Sequence, residues 1–182
     1  LVIDFNRKGI EMIGTITQWL SQMAGETNQK AVRVPMKAIG DRESTTALTS
    51  AGLRIHGGSA SAVVQGHTVM YAICQGILVT KPADTDMAAL AGTVVNGTFN
   101  VFCHFIDQSG NLTTLMGIAG ATLGAVVFPQ FPETKAILGF TIINPTGTGN
   151  FVGGTTALDD ATVVPNAVFV NTPSGFDPSI LL

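Results

Sequence analysis

The sequence predicts a mainly β protein: an antiparallel β-sandwich or barrel body over residues 45–182, carrying an N-terminal helical arm within residues 1–44. Three observations predict it. From residue 51 to 172, short apolar and β-branched runs are cut by Gly-, Asn- and Pro-bearing turn signals every 10–15 residues, the rhythm of an all-β domain. Residues 7–24 instead repeat their apolar positions at helical spacing. Charge, finally, is concentrated early: 15 of the 21 charged side chains lie in residues 1–87 and six in 88–182.

In the arm, Ile10, Met12, Ile13, Ile16, Trp19, Leu20 and Met23 fall on one half of a helical wheel, and Glu11, Thr15, Gln18, Ser21 and Gln22 on the other. Asn6 is a candidate N-cap and Gly25 a stop. Gly14 weakens such a helix by about 1 kcal/mol relative to Ala, so it needs a docking surface to persist, on its own body or on a different subunit. Ile10, Ile13, Ile16, Trp19, Leu20 and Met23 are the candidate docking residues. The polar face is not rich in Lys and Arg, which disfavours a membrane-surface helix. Residues 26–50 read as a polar connector, in which "KAVRVPM" has the character of an extended strand for a sheet edge.

In the body, "HTVMYAICQGILVT" (67–80) reads as one or two buried strands with a kink at Gly76. The short stretch "DTDMAALAG" (84–92) is the clearest helical candidate, with Asp84 or Asp86 as N-cap and Gly92 as stop. "GTFNVFCHFI" (97–106) places Phe99, Val101, Cys103 and Phe105 on one face and Asn100, Phe102, His104 and Ile106 on the other. "DQSGN" (107–111) then turns the chain and "LTTLMGIA" returns, a hairpin signature. "KAILGFTII" (135–143) and "NAVFVN" (166–171) are the remaining clear strands. The expected core is Val69, Tyr71, Ile73, Phe99, Val101, Phe105, Ile137, Leu138, Phe140, Ile142, Val168 and Val170.

Composition narrows the function classes. Charged residues make up 12% of the chain, about half the usual share, so the body lacks the solvated skin of a free-floating enzyme. Much of its surface is expected to be covered by copies of itself or by a partner. Residues 1–54 carry seven basic and five acidic residues, a net of +2, whereas residues 55–182 carry two basic and seven acidic, a net of −5. A mildly basic arm on an acidic body suits docking on a neighbouring body. With only Lys81 and Lys135 in the body and no aromatics beside the connector's basic residues, direct nucleic-acid binding is not expected. The uncharged run 108–132 contains Gly117, Gly120 and Gly124, but Gln108, Asn111, Thr113, Thr114 and Pro129 interrupt it, so no membrane span is expected. The chain opens on Leu1, as expected of a processed chain or one that begins after further residues, and residues 1–25 lack a signal-peptide pattern.

No motif points to catalysis. Cys74 and Cys103 are expected to be reduced, buried apolar fillers. His56, His67 and His104 lie in separate elements without metal-ligand spacing, and His104 is expected to be a sheet residue with one satisfied nitrogen. Adjacent Asp159 and Asp160 point to opposite faces if extended, so they form no carboxylate pair. "PTGTGNFVGGTT" (145–156) has no Lys and no helix after it, unlike a phosphate cradle. "HGGS" (56–59) has no nucleophile elbow to serve. The glycines read as turns and as close-packing points between chains. No catalytic residue, metal or cofactor is expected.

The segments "TDMAALAGTVVNGTFNVFCHFIDQSGNLTTLMGIAG" (85–120) and "KAILGFTIINPTGTGNFVGGTTALDDATVVPNAVFVNTPSGFDPS" (135–179) resemble proteins encoded among the virion structural genes of tailed bacteriophages. The resemblance covers residues 45–180 and rests on the strand–turn pattern and on wording such as "INPTGTGNFVGGTTALDD". It implies a capsid decoration (cement) or head-fibre type of protein: a trimer or other symmetric homo-oligomer on the capsid surface of the virion, with the major capsid protein as partner. It transfers no site residues. Residues 1–44 lie outside it, so the arm is expected to reach over neighbouring capsid subunits. The alternatives are a phage tail or fibre component, or a receptor- or glycan-binding β module. The last would need exposed aromatics, for which Phe102, Phe128, Phe131 and Phe151 are the candidates.

Overall fold

Turn residues cut the body into short antiparallel strands. The structure is a computed structural model that describes residues 44–164 and 167–172, all within one compact unit, Asp41–Leu182. The predicted arm helix, and the "KAVRVPM" strand, lie outside the described residues. In chain order the strands are β1 (Thr46–Ala47), β2 (Leu53–Ile55), β3 (Val64–Gly66), β4 (Met70–Cys74), β5 (Ile77–Lys81), β6 (Thr85–Asp86), β7 (Thr93–Val94), β8 (Asn100–Ile106), β9 (Leu112–Met116), β10 (Ala136–Ile143), β11 (Phe151–Val152) and β12 (Val168–Asn171). Among the described residues the only helical pieces are single 3-10 turns at His56–Gly58 and Leu123–Ala125.

The strands form four antiparallel sheets: β1–β4–β5, β12–β10–β8–β9, β2–β3–β6 and β11–β7. None closes into a barrel. The four-stranded sheet is the centre of the body, and all seven residues of β8 are buried. One face of it, with Phe102, Ile106, Ala136, Leu138 and Ile143, joins a core completed by Ala47, Met70, Ala72, Cys74 and Val79 from β1–β4–β5. β1 and β4 accordingly lie against β10, and the Cys74 thiol donates to the Ile106 carbonyl at 3.3 Å. The opposite face, with Val101, Cys103, Phe105 and Ile137, is covered by Val126, Phe128 and Phe131 from the loop after β9. Each fully buried large side chain contributes about 1.5–3 kcal/mol. Edge-to-face ring pairs, Phe102 on Phe151 and Phe128 on Phe140, add orientation to that burial.

Of the expected strands, 97–106 appears as β8 (Asn100–Ile106) with the two faces the alternation predicts, 135–143 as β10 (Ala136–Ile143), and the described part of 166–171 as β12 (Val168–Asn171). The hairpin through 107–111 is present too: the Asp107 carboxylate accepts from the Ser109 and Asn111 amides and closes the turn. The run 67–80 takes the two-strand alternative, a hairpin of β4 and β5. Gln75 (φ 52°) and Gly76 (φ 80°) make its two-residue turn.

Two expectations are corrected. Residues 84–92 are not helical. Thr85 and Asp86 pair with β3 as strand β6, and Asp84 sits at φ 58°, which a helix start does not allow. The carboxylates expected to cap that helix are engaged instead by Arg54, His56 and His67. Second, β4 turns its other set of residues inward. Val69 and Tyr71 are exposed and Ile73 half-buried, whereas Met70, Ala72 and Cys74 are buried. Both alternating sets are apolar; the smaller set faces in because Ala72 and Cys74 let β4 approach the four-stranded sheet closely. Val168, likewise expected in the core, is exposed near the end of the described chain. Two glycines also allow close packing within the chain. A Cβ on Gly117 would meet the Val127 carbonyl oxygen at 2.6 Å, and one on Gly120 would meet the Ala125 carbonyl carbon at 2.5 Å.

Candidate interaction surface

The face of β1–β4–β5 that turns away from the core is apolar and uncharged. The pairing register sets its composition. Thr46, Ile73 and Leu78 form one cross-strand row, and Tyr71 stands opposite Thr80 in the next. Leu48 extends the second row, its amide donating to the Tyr71 carbonyl at 2.8 Å. Val69, two residues before Tyr71, continues the face. Leu78 is 61% exposed and Tyr71 41% exposed; Leu48 and Val69 are exposed as well. No Asp, Glu, Lys or Arg stands in these rows. Such side chains together present roughly a few hundred Å² of apolar surface, comparable to the largest apolar patch of a typical monomer, which is often functional.

A second apolar surface lies on the far side of the body. There Ile118, Leu123 and Val127 project from the loop that covers the four-stranded sheet, and Ile118 is 67% exposed. Ile118 and Val127 bridge one another through paired backbone bonds of 2.8 and 3.1 Å. The glycines at 117 and 120 hold this loop against Val101 and Phe99. The two surfaces are on opposite sides, because they cover opposite faces of the same central sheet.

The polar residues gather elsewhere, on β2–β3–β6. Register aligns Arg54, Gln65 and Asp86 in one row. The Arg54 guanidinium donates to the Gln65 side-chain oxygen at 3.0 and 3.2 Å and to the Asp84 carboxylate at 2.9 Å. His67 Nδ1 lies 2.8 Å from the same Asp84 oxygen, and His56 Nδ1 lies 2.6 Å from Asp86. The hydrogen bond from His67, with the nearby Arg54 charge, holds the Asp84 carboxyl below the usual range. These contacts stitch three short strands. Sequence spacing alone did not show that His56 and His67 each meet an aspartate, since the pairings span 30 and 17 residues. Among the described residues no group of three or more His, Cys, Asp and Glu is arranged to hold a metal ion.

The remaining singled-out residues have structural partners. Asp159 accepts from the Ala60 amide at 2.9 and 3.0 Å, while Asp160 accepts from the Thr162 amide and hydroxyl, so the two carboxylates serve different loops. His104 is fully buried and both ring nitrogens are engaged, one more than the sequence suggested. Cys74 and Cys103 are free and buried. Burial pushes the Cys103 thiol up to about 12, and burial raises that of Cys74 as well. Gly57 and Gly58 of "HGGS" carry positive φ, the loop use that their sequence suggests. The candidate arm residues Ile10, Ile13, Ile16, Trp19, Leu20 and Met23 lie outside the described residues. No helix among the described residues is long and apolar enough to cross a membrane. No protein-family model matches the chain, and no curated protein or solved structure matches it either.

Proposed function

We propose that the chain is a virion structural protein of a tailed bacteriophage: a capsid decoration protein whose sandwich body seats on the outer surface of the head and stabilises it. The resemblance of residues 45–180 to virion structural proteins supplies the class. The observation that carries an assembly role is the uncharged apolar face of β1–β4–β5, together with its counterpart around Ile118 on the opposite side. A subunit on a shell needs two kinds of contact, with its neighbours and with the shell, and this body has two such surfaces. Copies arrayed on a symmetric shell gain avidity without new contacts. The arm's apolar stripe, including Trp19 and Leu20, adds a third means of attachment to the major capsid protein.

The glycan-binding alternative loses its aromatic platform. Phe102 and Phe151 are buried against one another, and Phe128 and Phe131 pack onto the outer face of the central sheet. Among the described residues the exposed large hydrophobic side chains include one aromatic, Tyr71.

Adding the purified chain to phage heads stripped of their outer proteins tests the reading. Saturable binding at a fixed number of copies per capsid subunit is expected, and deleting residues 1–25 is expected to lower occupancy. Binding confined to tails, or no binding, would overturn it.

A further inference from the structure

We propose that the Asn96–Gly97 peptide is a site of spontaneous deamidation that the fold holds in check. The reaction waits for the turn at 95–98 to part from the loop at 145–150, and its product keeps them from rejoining. The inference goes beyond the proposed function and is tested on the isolated chain.

Sequence supplies the reactive pair. Asn96 is the one asparagine of the chain that a glycine follows. Asn100, Asn111 and Asn150 precede Val, Leu and Phe, whose side chains crowd the attacking nitrogen, and Asn144 precedes a proline, which has no N–H. At Gly97 φ is 78° and a Cβ would meet nothing within 4 Å, so the approach is open. Asn96 and Gly97 are both exposed to water.

The step needs only water. The backbone nitrogen of Gly97 loses its proton and attacks the side-chain carbonyl carbon of Asn96. A new C–N bond forms, the bond to Nδ2 breaks, and Nδ2 leaves as ammonia, taking up the proton that Gly97 lost. The cyclic imide then adds water at either carbonyl and opens to aspartate or isoaspartate. Nothing is oxidised or reduced.

The fold ties down both reacting groups. The Gly97 amide donates to the Pro145 carbonyl at 2.7 Å. Asn96 Nδ2 donates to the carbonyls of Gly147 and Gly149 at 2.5 and 3.0 Å, and the Asn96 amide donates to Asn150 Oδ1 at 3.0 Å. Reaction requires the Gly97 nitrogen to release Pro145 and the Asn96 side chain to swing off both glycine carbonyls. Its rate therefore follows the population in which the loop has opened. These bonds continue a short ribbon, since β7 and β11 pair only through Val94 with Phe151 and Thr93 with Val152.

The product cannot restore the clasp. The amide nitrogen is a donor, whereas a carboxylate only accepts. A carboxylate in its place would set negative oxygens against the two glycine carbonyls, so the change is one-way.

The test holds the wild-type chain in mildly alkaline buffer, native or unfolded in urea, and follows the peptide containing Asn96 by mass. Conversion should be at least about 10-fold faster in the unfolded chain. Asn150→Ala, which removes one tie, should speed conversion in the native state, and Asn96→Asp should lower the urea midpoint. A native chain that converts as fast as the unfolded one overturns the inference. So does an unfolded chain that leaves Asn96 intact, or an Asn96→Asp variant with the wild-type midpoint.

Discussion

The hydroxyl of Thr141 donates to Nε2 of His104 at 2.9 Å, inside the core of the central sheet. The direction follows from the rest of the chain of bonds. Thr114 gives its own hydroxyl proton to the Ala88 carbonyl at 2.7 Å, so it accepts from His104 Nδ1–H at 3.0 Å. Nε2 is therefore the acceptor, and a neutral imidazole links β8, β9 and β10. Burial drives its pKa down to about 3.

That depression makes stability depend on acid. In the unfolded chain the imidazole takes a proton near its ordinary value of 6.5, whereas in the folded chain it does so only near 3. The unfolded state binds more protons in that window, so stability is full above pH 6.5 and falls as pH drops toward 3, by at most about 1.4 kcal/mol per pH unit from this group. Denaturant titrations from pH 7 to 4 should show the slope, and His104→Gln should reduce it. An equal slope in the variant would assign the effect to other groups.

The thiols should be silent in the native state. Cys103 is held near 12 and Cys74 is raised, and both are buried. A thiol-specific reagent at pH 8 should label neither within minutes, and both after denaturation. Fast labelling of the native protein would contradict this packing.

Gly120 should not tolerate a side chain. A Cβ there meets the backbone of Ala125 and Val126 at 2.5–2.7 Å, and backbone yields little. Gly120→Ala should cost about 1–3 kcal/mol, read as a lower urea midpoint. It should also loosen the loop that carries Ile118 and covers Phe105.

The β4–β5 turn should be improvable. Gln75 adopts φ 52° beside Gly76, the two-residue hairpin turn in which Asn is preferred first. Gln75→Asn should therefore raise thermal stability by a few tenths of a kcal/mol up to about 1. A lower melting temperature would contradict the turn assignment.

How far the sequence revealed this structure depended on contrast between alternating positions. In β8 one set carries Asn100 and His104, so the two faces separate on inspection, and the β8–β9 hairpin follows from Asp107 and Gly110. In β4 both sets are apolar, and bulk favoured Val69, Tyr71 and Ile73 for the core. Close approach to β10 selected Met70, Ala72 and Cys74 instead, which left Tyr71 on the surface. The exposed apolar face was hidden by the same ambiguity, since Val69, Tyr71 and Ile73 on it read as core. The short segment at 84–92 has helical composition, but its carboxylates are drawn to Arg54, His56 and His67 across contacts that local pattern does not encode. The charge-poor body itself was legible from composition, and it is this poverty of charge that the exposed faces express.

Imaging purified particles of a phage whose genome carries this sequence, with the protein labelled, would test the proposed decoration role most directly. The account predicts label repeating over the outer surface of the head with the symmetry of the shell. Label restricted to the tail, or particles without the protein, would contradict it.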